Sequence, residues 1–444
     1  MVVRVIGGGL AGPEAAWQLA QRGLEVELWE MRPRVSTPAH QTSALGELVC
    51  SNSLKSEAPN SAPWLLKQEL RRAGSLLLAC ADAAAVPGGQ ALAVDRERFS
   101  AAIEARLGGH PRIRIRREEA TTLPPHAITV LAAGPLCSAP LAEALAQRTG
   151  RSHLYFYDAI SPIVEAESVD SERAYGGSRY GKGGDDDYLN CPLDRAEYER
   201  FYHALVAAAS YPLRAFEEPR FFEACLPLEE LARRGPDTLR FGPMKPVGLR
   251  DPRTGREPYA AVQLRRENLR ADSYNLVGFQ NHLRFGAQAE VLRLIPALEH
   301  ARFLRYGQVH RNSYLLAPAV LDGALRLRAQ PTIFVAGQLC GTEGYVEAIA
   351  TGLLAGRFAA AAALGEPAEP PPRASALGSL LHYITRSPIQ GYAPANITMD
   401  LLPALAIPER ERARRHPLQC AAALAAADAW LSTARGFATE AIPA

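Results

Sequence analysis

Two cysteines stand where a thiol can do chemistry. Cys50 lies in Glu47-Leu48-Val49-Cys50-Ser51-Asn52-Ser53-Leu54-Lys55-Ser56, among Ser and Asn, and Cys225 lies in Phe221-Phe222-Glu223-Ala224-Cys225-Leu226-Pro227, just before Glu229 and Glu230. A thiolate is a strong nucleophile whose fraction rises near positive charge or a helix N-terminus. His282 and His310 sit among Arg, Asn and Gln and are candidate ligand contacts, whereas Cys80 and Cys420, in Ala-rich helical stretches, read as core residues. A second chemistry is written at the N-terminus. Gly7, Gly9 and Gly12 have the G-x-G-x-x-G spacing, and Glu30 follows at roughly the 20-residue distance of an acid that binds a ribose hydroxyl. An acid there favours an unphosphorylated ribose, hence FAD or NAD rather than NADP.

These groups need elements to hold them. Val2 to Ile6 is a short apolar strand, the glycines turn the chain into a helix carrying Ala15, Ala16, Leu19 and Ala20, and Val26 and Leu28 alternate in a second strand that delivers Glu30. The first glycine permits the tight turn, the second lets the backbone approach a pyrophosphate, and the third lets helix and strand pack closely. An irregular stretch from Val35 to Asn60, including Pro38-Ala39-His40, follows the acid, and loops of that length are commonly functional. Ala127 to Gly134 is a buried-strand pattern like one that passes the nucleotide in flavoproteins of the glutathione reductase type. Pro331 to Gln338 is another, followed by Cys340 to Ala348 and an Ala-rich helix, and it resembles the second FAD motif of such proteins. Three motifs in this order favour FAD over NAD. The expected cofactor contacts are Gly7, Gly8, Gly9, Leu10, Ala11, Gly12, Glu30, Gly134, Gly337, Gln338, Gly344 and Tyr345.

The expected fold is α/β: a glutathione-reductase-type, Rossmann-like FAD-binding domain with a large inserted α+β substrate domain. Residues 1–150 form its first part, 151–327 the insertion, 328–366 the returning part, and 367–444 a proline-rich linker with a small C-terminal segment. Arg112 to Arg116 alternates as a strand with a solvated arginine face.

The totals bound the rest. The 444 residues, 48% hydrophobic and 22% charged, suit a soluble globular protein of two or three domains, and a net charge of +2 excludes no partner. Seven cysteines with no C-x-x-C pair suggest neither a disulfide framework nor a zinc site. No metal site is expected: the Gly-rich stretch ending in Asp185-Asp186-Asp187 reads as a solvated turn rather than a calcium loop. With no signal peptide and no run of about 18 apolar residues, the reading is a cytoplasmic protein with reduced thiols and no membrane association.

Several strings together are more specific. Glu47 to Ser56, Tyr188-Leu189-Asn190-Cys191-Pro192, Phe222 to Pro227, Gly242 to Leu249, Gly278-Phe279-Gln280-Asn281-His282-Leu283 and Tyr306-Gly307-Gln308-Val309-His310-Arg311-Asn312 resemble the folate- and FAD-dependent tRNA (uracil-5-)-methyltransferases, from Met1 to about Pro403. That resemblance implies ribothymidine formation in the tRNA T-loop, with carbon from 5,10-methylenetetrahydrofolate, hydride from reduced FAD and NADH or NADPH as reductant. It assigns Cys225 as the nucleophile that adds to uracil C6, Cys50 as the thiol that removes the C5 proton, and His310 or His282 as the ring covering the pterin. Arg410 to Arg415 and the Arg265-Arg266 pair are candidate tRNA contacts. A related flavoprotein subunit that acts on wobble uridine, and a binding protein without catalysis, are the alternatives; two thiols in polar loops speak against the latter.

Overall fold

A computed structural model describes residues 1–150, 154–184, 187–211 and 226–433. Cys225, and Asp185 and Asp186 of the acidic turn, lie outside the described residues; of His310 the backbone alone is described.

The first domain is built on a six-stranded sheet in the order Arg326–Leu327, Gln330–Val335, Thr129–Leu131, Val2–Ile6, Glu25–Trp29, Ile113–Arg116. All its neighbours are parallel except the short Arg326–Leu327 strand. Val3, Val5, Leu28, Val130 and Val335 are fully buried, because strands covered on both faces select continuous β-branched and aliphatic runs. The strand Ile113–Arg116 is at the sheet edge, where Arg112 and Arg116 pair with Glu25 and Glu27 at 3.1 and 2.9 Å, so the arginine face is a solvated rim.

Two helices of this domain pack backbone to backbone. Ala11–Gln21 crosses Tyr345–Leu364, and a Cβ added to Gly352 would lie 2.4 Å from the Ala11 carbonyl oxygen. The small residues of the second helix therefore serve backbone approach. This helix is long and apolar enough to cross a membrane, with a mean hydropathy of 1.3 over 18 residues, but Glu347 and Arg357 interrupt it and 89% of that window is buried within the protein, which makes it a core helix, as the sequence expectation of no membrane association requires.

The second domain is a six-stranded, antiparallel sheet ordered Tyr175–Gly176, Leu189–Leu193, Ala260–Arg266, Ser273–Leu276, Ile163–Glu165, Phe303–Arg305. Its core joins Cys191, Phe201, Val262 and Phe279 with the helix Arg195–Ala207. The Cys191 thiol is wholly buried there and pushed up to about 12, which fits packing rather than reactivity. A two-stranded ribbon, Leu154–Ala159 with Val309–Tyr314, links the domains, and the chain is back in the first sheet by Arg326.

The C-terminal segment packs onto the first domain. Cys420 and Ala423, on the helix Arg412–Thr433, belong to its core. Buried Glu69, on Ala62–Arg72, accepts hydrogen bonds from the backbone N–H groups of Ala376 and Leu377 at 2.7 and 2.8 Å, capping the helix Ala376–Arg386 from across the fold.

Candidate active site

One cleft of about 1200 Å³, open at one side, runs along the carboxyl ends of the central strands. At one end Gly7, Gly8, Gly9, Leu10 and Ala11 form its wall, with Glu30 beside them. Gly7 has φ +112°, a conformation that L side chains rarely adopt. Gly12 is packed behind the wall, where an added Cβ would fall 1.8 Å from the Gly7 carbonyl oxygen. A Cβ on Gly9 would meet no protein atom within 4 Å, so this backbone faces open cleft at the start of a helix. Such an exposed amide cradle fits a pyrophosphate.

Glu30 is held by a buried network. Its carboxylate accepts from the Gly8 N–H at 2.8 Å and from the Arg32 backbone and Nε at 2.9 and 2.8 Å, while Arg32 also reaches Glu47 at 2.9 Å. Burial alone would raise the Glu30 carboxyl; the bonds and charge of Arg32 and the Gly8 N–H outweigh it and hold the group below its ordinary value. The acid at the end of the second strand is thus an ionised acceptor. These residues fit an adenosine ribose and pyrophosphate.

The cleft is lined further by Gly134, Gly337, Gln338, Gly344 and Tyr345, and the helix Tyr345–Leu364 starts there. Cys50 is on the same wall. The Tyr345 hydroxyl accepts from the N–H of Cys50 at 2.8 Å and of Ser51 at 3.2 Å, and lies 2.8 Å from Cys50 Sγ. With its lone pairs engaged by two amides, its own proton is left to donate to sulfur. Burial first, then the nearby Cys50, pushes the Tyr345 phenol well above its ordinary value, so it remains protonated as that donor.

Three arginines from separate elements fix the loop that carries Cys50. Arg96 donates to the Leu48 carbonyl; Arg305 donates to those of Val49 and Ala39 at 2.8 and 3.0 Å; Arg265 donates to Ser51 Oγ and Asn52 Oδ1, both at 2.8 Å. Arg265 is therefore a buried interdomain strut rather than an RNA contact: it is 6% exposed. Asn52 also donates to the Arg266 carbonyl at 2.8 Å. Arg96 and Arg305 each interact electrostatically with Cys50, and cationic surroundings favour a thiolate.

The histidines are distributed differently from the sequence expectation. His282 is buried in the second domain, its N–H and Nδ1 at 2.9 and 2.5 Å from Glu229 Oε1, and is not brought to the cleft wall. His310 belongs to the ribbon, opposite Asp158 and two residues from Asn312, which lines the cleft. Sequence reasoning passed over His40. It lines the cleft, and its Nδ1 is 2.5 Å from Thr37 Oγ1, which also accepts the His40 N–H at 3.2 Å. Burial, then Arg32, lowers His40 to about 4, so the ring is neutral near pH 7. Its only sequence signal is its place in the long loop after the ribose acid. Beyond Cys225 the chain resumes at buried Leu226, and the Leu228 N–H bonds the Gln280 carbonyl at 2.8 Å.

The profile of the family described as Glucose inhibited division protein A matches residues 2–367. A relative from Koribacter versatilis, Methylenetetrahydrofolate--tRNA-(uracil-5-)-methyltransferase TrmFO, is 57% identical over 440 residues, covering 98% of this chain and 99% of its own. The protein of the same name from Solibacter usitatus is 60% identical over 432 residues, covering 96% and 97%. The chain belongs to the TrmFO family. The TrmFO relatives align well past Pro403, so the C-terminal helices are part of the family likeness. Among solved structures, Aquifex aeolicus GidA superposes with a TM-score of 0.71 at 16% identity, covering 99% of this chain and 74% of that one, a likeness of fold. The fold is common to both, whereas the identity with the TrmFO proteins spans both domains.

Proposed function

We propose that this chain methylates C5 of the T-loop uridine of tRNA, using 5,10-methylenetetrahydrofolate as carbon donor, FAD as redox cofactor and NADH or NADPH as reductant. The observation that carries the reading is Cys50 on the cleft wall, paired with Tyr345, in a chain 57% identical to a methylenetetrahydrofolate--tRNA-(uracil-5-)-methyltransferase over nearly its whole length.

The substrate dictates what the residues must do. Uracil C5 is a weak nucleophile until a thiolate adds at C6, which places enolate character on C5. Cys225 is assigned that addition. C5 then attacks the methylene of the folate iminium, and the proton at C5 passes to the Cys50 thiolate. Tyr345 holds that sulfur, while Arg96, Arg265 and Arg305 fix its loop. Tetrahydrofolate leaves and an exocyclic methylene remains on the base. FAD, when bound and reduced, supplies the hydride that converts this methylene to methyl, as the C6–S bond breaks and Cys225 is released.

The proposed FAD contacts are Gly7 to Gly12 and Glu30 for the adenosine ribose and pyrophosphate, with Gly134, Gly337, Gln338, Gly344 and Tyr345 along the same cleft. Of the two histidines proposed for the pterin, His310 has the better support, being two residues from cleft-lining Asn312. The test is transfer of carbon-labelled methylene from the folate to a tRNA transcript by the FAD-loaded protein with NADPH. Label at C5 of the T-loop uridine is expected. Transfer to wobble uridine, or none, overturns the reading.

A further inference from the structure

An aromatic ladder stands at the edge of the second domain, outside the cofactor cleft. Phe285 and Tyr306 stack with ring centroids 5.2 Å apart, Tyr306 and Phe303 stack at the same distance, and Tyr211 meets Phe285 edge-on at 5.9 Å. Arg293 lies over the Phe303 ring at 5.8 Å. Tyr211 is 47% exposed and Phe285 is 40% exposed, an unusual investment of aromatic surface in solvent. Tyr211 meets its neighbour at 74°, edge to face rather than stacked, and keeps nearly half of its surface in solvent. Arg284, next to Phe285, is exposed and has no ion-pair partner among the described residues.

One end of the ladder is tied to the loop that carries Cys50. Tyr306 follows Arg305, which holds the Val49 carbonyl beside Cys50, and the Gln308 carbonyl accepts from the N–H of Ile160, a cleft-lining residue. At the other end, Tyr211 is fixed by its N–H to the His282 carbonyl at 2.9 Å, close to where the Leu228 N–H meets the Gln280 carbonyl at 2.8 Å. The ladder therefore reaches from residues tied to the cleft rim to Tyr211, the last described residue before the stretch that includes Cys225.

We propose that Tyr211, Phe285, Tyr306 and Phe303, with Arg284, form a stacking platform for an unpaired tRNA base beside the methylated uridine. This rests on the functional reading above. Exposed rings with an exposed guanidinium match the chemistry of unstacked bases on a phosphate backbone, since every base has a π-face and base–aromatic stacking is worth about 1–3 kcal/mol per base. Catching a neighbouring base offsets part of the unstacking needed to expose uridine C6.

The test uses full-length, FAD-loaded protein and the exposed substitutions Tyr211→Ala and Phe285→Ala, with Tyr211→Trp as an aromatic control. Filter binding to a tRNA transcript should weaken roughly tenfold to a hundredfold for each alanine variant and be restored by tryptophan. Tetrahydrofolate affinity, read by flavin fluorescence, and FAD content should stay within twofold of native. Unchanged tRNA affinity overturns the proposal. A loss of folate affinity instead would make the ladder a folate seat, and a fall in sedimentation mass would make it a contact between copies; either result also overturns it. Failure of the native protein to bind tRNA at all would bring down the methyltransferase reading itself, an outcome distinct from failure of the variants alone.

Discussion

The Tyr345 hydroxyl lies 2.8 Å from Cys50 Sγ although 295 positions separate the two residues in the chain. The first residue of the core helix is thereby hydrogen-bonded to the thiol of the long loop, and one phenol organises both the sulfur and the amides around it. Hydrogen bonds to an ionised group contribute about 1.5–3 kcal/mol, so this contact bears directly on how much thiolate is present.

Tyr345→Phe should therefore lose thiolate at Cys50. Iodoacetamide alkylation of Cys50 at pH 7, followed by peptide mass, should slow about tenfold or more. An alkylation rate equal to that of the native protein would remove Tyr345 from the account.

Arg32 should be structurally indispensable at the adenosine end. Removing it leaves the Glu30 and Glu47 carboxylates without their shared cation, and loss of one partner from a buried pair costs about 3–5 kcal/mol. Arg32→Ala is expected to release FAD on gel filtration and to melt lower, with Arg32→Lys intermediate, because an ammonium lacks the guanidinium's fork.

Gly352→Ala should act at a distance from the cleft. The new Cβ would be 2.4 Å from the Ala11 oxygen, in a contact where both atoms flanking the clash belong to backbone. Overpacking of this kind costs about 1–3 kcal/mol, and the displaced helix carries the end of the glycine cradle. Both thermal midpoint and FAD affinity should fall, whereas Gly23→Ala, with no atom near the added Cβ, should disturb FAD much less despite its φ of +77°.

Burial pushes the Glu69 carboxyl up to about 8 and that of Glu14 up to about 7, from an ordinary 4.5. A raised carboxyl binds its proton in the folded chain where the unfolded chain has released it. Its stabilising contribution is complete below about 4.5 and is lost as pH rises through 7 to 8. The urea midpoint should accordingly fall between pH 5.5 and 8.5, and Glu69→Gln should flatten part of that slope. A midpoint that rises over this interval would contradict the assignment.

How far the sequence could be read follows from the range of the forces involved. The glycine loop, the strands on either side and Glu30 are local in sequence, and their periodicity and spacing reveal them. Their side-chain partners are not local. Arg96, Arg265 and Arg305 converge on Leu48 to Asn52 from three elements, and a pattern such as Arg265-Arg266 looks like a basic patch until the fold buries one member under Asn52. His282 sits in a polar string that suggests ligand contact, yet a fully buried Glu229 from another segment claims it. His40 shows the converse, a cleft residue in a loop with no periodicity to mark it. The helix Tyr345–Leu364 was legible as an Ala-rich helix of the first domain, and its burial agrees with the expectation of no membrane association.

The most direct test of the central claim is tritium release from a tRNA labelled at C5 of the T-loop uridine, with 5,10-methylenetetrahydrofolate and reduced FAD, for the native protein, Cys50→Ala and Cys225→Ala. The account predicts release by the native protein, none by Cys225→Ala, and release slowed at least a hundredfold by Cys50→Ala, with tRNA remaining covalently attached through Cys225 in that variant. Native-like tritium release by Cys50→Ala would contradict the assignment of Cys50 as the group that takes the C5 proton.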